Sequence, residues 1–132
     1  MALDTIQIVR GFRYLGLSFE VAESITDAES MPDLDLQTLS TETNDQLVAM
    51  VLDVSQLKGY VMHSDQAITL ETNSAEAADD TITFAANQCR IWSAADENAQ
   101  SVFTTDVTAF YISVAGAVVP RIRMWFPLDP TA

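Results

Sequence analysis

One stretch of the chain places three catalytic residue types side by side. His63-Ser64-Asp65 supplies a base, a hydroxyl and an acid within three positions, and His63 is the only histidine. Hydrolytic chemistry needs such groups to converge from separate segments onto one reacting atom. Neighbouring residues of a strand point to opposite sides, so this trio reads as a strand end running into a polar turn. Metal chemistry is as poorly provided for. One His and one Cys, Cys89, with no C-x-x-C or H-x-x-x-H spacing, do not make a zinc site. The acidic pairs Asp79-Asp80 and Asp96-Glu97, near Asn73, Asn87 and Asn98, offer calcium-type oxygen donors, but no EF-hand register accompanies them, and they read as surface acidity. Carboxylates suited to glycoside hydrolysis cannot be singled out among 19 acids. Four glycines build no phosphate cradle. Tyr60, Trp92, Tyr111 and Trp125 are a candidate sugar platform, although aromatics on strands more often belong to a core or an interface. The expectation is a protein that binds rather than catalyses, with no cofactor and no metal.

The elements that carry these residues are short strands. Thr5–Val9 and Phe12–Val21 alternate in hydropathy, with Gly11 marking a bend between them. Residues 46–54 alternate through Val48, Met50, Leu52 and Val54, and residues 55–58 suit one helical turn. Further strands are expected at 59–63, 66–72, 80–84 and 88–92. The stretch from Asp106 to Asp129 reads as a β-hairpin broken at Ala115-Gly116-Ala117. Its inner faces would be Phe110, Ile112 and Val114 on one strand and Ile122, Met124 and Phe126 on the other. Arg121, Arg123 and Trp125 share the opposite, outward face. Many short strands and no long helical pattern predict an all-β fold, an antiparallel two-sheet β-sandwich of jelly-roll type, with an immunoglobulin-like sandwich as the alternative.

A length of 132 residues predicts a single domain, residues 1–132. Within it, residues 22–45 hold seven acids and no Lys, Arg or His, and read as a long acidic loop or extended arm anchored by Leu34, Leu36 and Leu39. The N-terminus lacks the pattern of a secretory leader, no window is apolar enough for a membrane span, and a lone cysteine fits a cytoplasmic place of synthesis. A net charge of −13 speaks against nucleic-acid binding. A hydrophobic fraction of 48% suggests more apolar surface than one core hides.

Between Val54 and Asp129 the chain carries Val54-Ser-Gln-Leu-Lys-Gly-Tyr-Val61, Ser64-Asp-Gln-Ala-Ile-Thr-Leu-Glu-Thr-Asn-Ser74, Asp80-Thr-Ile-Thr-Phe-Ala-Ala-Asn87, Arg90-Ile-Trp92, Phe103-Thr-Thr-Asp-Val-Thr-Ala-Phe-Tyr-Ile-Ser113 and Pro120-Arg-Ile-Arg-Met124. This run resembles small structural proteins of tailed-bacteriophage virions, most of all head decoration (cement) proteins; the first fifty residues lie outside the resemblance. It implies a non-enzymatic β-sandwich on the virion surface, bound to the major capsid protein and to sister copies as a dimer or trimer. A tail or fibre β-domain and a carbohydrate-binding module are the alternatives. Arg121, Arg123, Trp125, Leu34 and Leu36 are the candidate interface residues, since arginine and tryptophan are favoured where proteins meet.

Overall fold

A computed structural model describes residues 6–25, 28–37, 39, 44–96 and 100–130. The described residues form ten strands: β1 (Ile6–Tyr14), β2 (Leu17–Ile25), β3 (Asp33–Leu36), β4 (Gln46–Val48), β5 (Gly59–Ser64), β6 (Ile68–Thr72), β7 (Thr81–Phe84), β8 (Gln88–Ser93), β9 (Phe110–Val114) and β10 (Ile122–Trp125). A 3-10 turn, Val54–Gln56, overlaps the stretch where one helical turn is expected, capped by the Asp53 carboxylate accepting from the Ser55 amide. No α-helix occurs among the described residues.

Eight strands build the body. One four-stranded sheet has the order β3-β10-β5-β8, and the other has the order β4-β9-β6-β7. All pairings are antiparallel, and they nest: β6 with β7, β5 with β8, β4 with β9, β3 with β10. A ribbon folded once at β6–β7 and then rolled gives this order, which is how a jelly roll wraps. It differs from the immunoglobulin order.

The nesting corrects one expectation. Phe110–Val114 and Ile122–Trp125 are not a hairpin, because β9 pairs with β4 and β6 while β10 pairs with β3 and β5. Residues 115–121 cross from one sheet to the other. The two apolar faces therefore meet across the sandwich. Phe110, Ile112 and Val114 from one side and Ile122, Met124 and Phe126 from the other are all fully or almost fully buried. Burying both faces in one layer is the general solution for two amphipathic sheets.

The acidic stretch 22–45 is not a structureless loop. Residues 22–25 finish β2, and Asp33-Leu34-Asp35-Leu36 is an edge strand of the first sheet. Its alternation turns Leu34 into the core, where it is 8% exposed, and Leu36 packs against that core. Asp27 and Glu42 lie outside the described residues. The expected strand over 46–54 is also shorter, ending at Val48, with Leu52 held by an isolated bridge to Val107.

The remaining two strands form a separate hairpin. It replaces the expected break at Gly11: β1 runs unbroken through Gly11, which pairs with Glu20, and the reversal falls at Leu15-Gly16. Both turn residues have positive φ, 43° and 83°. That is the conformation of a two-residue I′ turn, which matches the twist of the flanking strands and favours Asn-Gly. Glycine fits the second position at no cost; leucine at the first is strained.

Candidate interaction surfaces

The catalytic reading of residues 63–65 meets a specific geometry. His63 pairs with Cys89 and Arg123 on the outer face of the first sheet. Ser64 is fully buried on the opposite face, and its hydroxyl donates to the Gln66 carbonyl at 2.6 Å. The Asp65 carboxylate accepts from the Arg121 amide at 2.8 Å. The three side chains diverge and do not form a triad. Cys89 is exposed at the edge strand, and desolvation around its thiol pushes the pKa up, away from the thiolate that acts as a nucleophile.

The acidic loop residues are engaged as pegs between loops at one end of the sandwich. Asn73, in a left-handed conformation with φ 69°, accepts at its side-chain oxygen from the Thr108 amide at 2.7 Å and hydroxyl at 3.0 Å. Its amide nitrogen donates to the Asp106 carbonyl at 2.8 Å and to the Asp79 carboxylate at 2.6 Å. Asp80 accepts from both the amide and the hydroxyl of Thr104, and Asp106 accepts from the Val54 amide at 2.9 Å. Among the described residues, no group of three or more His, Cys, Asp or Glu is arranged to hold a metal ion. Glu97 and Asn98 lie outside them. Asn73→Ala removes the four bonds that Asn73 makes and leaves those of Asp80 and of Asp106 with Val54 in place, and we expect a loss of about 1–2 kcal/mol of stability, read as a lower urea midpoint at unchanged slope.

The aromatic residues do not form a sugar platform. Tyr60 is 2% exposed. It lies 5.6 Å from the Trp92 ring and 5.6 Å from Phe103, and accepts from the Val102 amide through its phenol oxygen. Burial pushes the Tyr60 phenol up. Tyr111 lies on the other sheet, and Trp125 lies at the outer face beside Val61, where it lines a pocket with Ile6, Ile8 and Met31.

The interface candidates separate into two groups. Arg121, Arg123 and Trp125 lie on or beside β10 at the outer face of the first sheet; Leu34 and Leu36 belong to the core side of β3. Arg121 is tied to Asp35 at 3.3 Å, an exposed pair of small energetic weight. Arg123 sits between Asp35 and His63 in the register, its Nε without a hydrogen-bond partner.

The surface that sequence reasoning missed is the β1–β2 hairpin. Cross-strand partners share a face, so Ile6/Ile25, Ile8/Glu23, Arg10/Val21, Phe12/Phe19 and Tyr14/Leu17 form one side, and Gln7/Ser24, Val9/Ala22, Gly11/Glu20 and Arg13/Ser18 the other. The apolar side docks at its root only. Ile6, Ile8, Ile25 and Ala28 pack on Val61 and Ile91 of the first sheet's outer face, and Arg10 bonds Glu23 at 3.6 Å and Asp96 at 3.4 Å. Beyond Arg10 the hairpin leaves the body. Every residue from Gly11 to Ala22 is exposed, including Phe12 (61%), Phe19 (64%) and Leu15 (84%). At about 3.4 Å per residue the free part reaches roughly 15 Å into solvent. The available signal was the alternation of Phe12, Tyr14, Leu17, Phe19 and Val21 about Gly16.

Comparison with known proteins gives no match: no family model, no curated protein and no solved structure matches the chain.

Proposed function

We propose that this chain is a structural component of a tailed-bacteriophage virion, a decoration protein seated on the outer surface of the head and bound to the major capsid protein and to sister copies. The observation that carries the reading is the free arm. It is a strand pair with Phe12, Tyr14, Leu15, Leu17 and Phe19 all at least 60% exposed, on a chain of net charge −13. Contiguous exposed apolar surface of this kind marks a contact with a partner. The charge keeps the bodies of unassembled chains from clumping and keeps the chain off nucleic acid.

The rolled eight-stranded body supports the reading more weakly, since jelly rolls serve capsid proteins, lectins and cupins alike. The sequence resemblance over residues 54–129 selects the first of these. Quantitative mass spectrometry of purified virions from a phage that encodes the chain provides the test. The expected result is a copy number comparable with that of the major shell protein. A few copies per particle would assign the chain to a tail or fibre, and absence from the particle would end the proposal.

A further inference from the structure

We infer that the apolar side of the β1–β2 arm is a self-association surface, on which the arms of two copies pack face to face to make an isologous dimer. The inference rests on the reading of the chain as an assembly module and names the surface through which sister copies meet.

Three observations point to a second copy. The first is continuity. The side of the hairpin that presents Phe12, Phe19, Tyr14 and Leu17 is the same side that its root already buries against Val61 and Ile91. The root is covered and the tip is not, so only the outer half remains to be matched.

The second is charge. Residues 6–25 contain Arg10, Arg13, Glu20 and Glu23 and are neutral, which leaves seventeen carboxylates against four cations on the rest of the chain. Two such bodies repel each other. Two neutral arms do not, and arms about 15 Å long hold the bodies apart by more than the screening length of about 8 Å at physiological salt. A partner copy can meet this protein at the arm far more easily than anywhere on the body. The same charge disfavours an anionic lipid surface.

The third is area. Three aromatic rings and one leucine of that side, each at least 60% exposed, put on the order of 500 Å² of surface on one arm and about 1,000 Å² on a pair, which reaches the lower bound for a specific interface when the two faces cover each other. Leu15 adds an independent sign. It occupies a left-handed turn position, φ 43°, that favours Asn. Strain of that kind is kept where the side chain is used.

The test is sedimentation velocity on the full chain over a range of concentrations. The wild-type protein should sediment as a dimer. Phe12→Ser with Phe19→Ser should raise the dissociation constant at least about a hundredfold, with unchanged circular dichroism, because both rings are exposed and neither belongs to the cluster that seats the arm. Leu15→Asn should relieve the turn, raise amide-exchange protection along the arm, and still weaken the dimer. A monomeric wild-type chain would overturn the inference, as would a dimer untouched by the double substitution. A chain that stays monomeric and floats with phosphatidylcholine vesicles would assign the arm to a membrane instead. The two proposals fail separately: a dimer absent from virions removes only the virion role, and a monomer abundant in virions removes only the arm contact.

Discussion

Phe110→Ala should cost about 3–5 kcal/mol of folding stability, the range for removing a large buried aromatic ring. Phe110 is fully buried in the second sheet, where β9 lies between β4 and β6. Its ring centroid lies 6.0 Å from Phe103 and 6.1 Å from Phe126, and Phe103 in turn lies 6.0 Å from Phe126. Phe126 follows β10 of the opposite sheet, so this triangle of rings joins the two layers. Removing its Phe110 corner leaves a cavity that neither sheet can close without breaking its own ladder, since β9 is hydrogen-bonded on both edges. A domain of this size has a total stability of about 5–15 kcal/mol, so the variant should approach the threshold of folding. Urea denaturation followed by Trp fluorescence measures the loss. A change below about 1 kcal/mol would mean that the rings do not hold the layers together.

Gly59→Val should have the second largest effect, through lack of space rather than through backbone conformation. A Cβ at Gly59 would stand 2.8 Å from the Trp92 carbonyl oxygen, 2.9 Å from Ile8 Cδ1 and 3.2 Å from Ile25 Cδ1. The first contact is with the backbone of the paired strand β8 and cannot swing away. The other two are the side chains that seat the arm. Overpacking of this kind costs about 1–3 kcal/mol, and here the cheapest relief is to lift the arm root off Val61 and Ile91. Hydrogen exchange should then show lost protection across residues 6–25 while Leu70 and Ile112 stay protected. Gly116→Ala, where nothing lies within 4 Å of the added carbon, is the control and should change little.

The strands were legible in the sequence and their partners were not. Alternation in Phe110-Tyr-Ile-Ser-Val114 says which residues turn inward, and the same pattern serves whether the next strand lies beside it or across the core. The expected hairpin at 106–129 failed for this reason, although the inward residues were all correct. Asp33-Leu34-Asp35-Leu36 shows the same limit from the other direction: four acidic or apolar residues in a charged stretch look solvated, yet their period of two is that of a strand, and it turns both leucines inward. The arm was hidden by its turn. Leu15-Gly16 lacks the Asn-Gly signature, while Gly11, the more conspicuous break, lies inside a regular strand. Its exposure could not be read locally either, because Phe12 and Phe19 have the composition of a core and simply lie beyond the reach of one.

The nested pairing ranks the loops that must close as the chain folds. Thr72 and Thr81 bound the innermost turn, between β6 and β7, while Arg121 and Asp35, at the outermost pair, are 86 positions apart. Loop-closure entropy grows with the length of chain enclosed, so among the four nested pairs β6–β7 costs least to close and β3–β10 most. The arm, a two-stranded ribbon too small to persist alone, acquires its footing only after β5 and β8 have come together to present Val61 and Ile91. It precedes β5 and β8 in the chain yet depends on both for its seat, so the exposed tip is held rigidly in place only once the domain beneath it is complete.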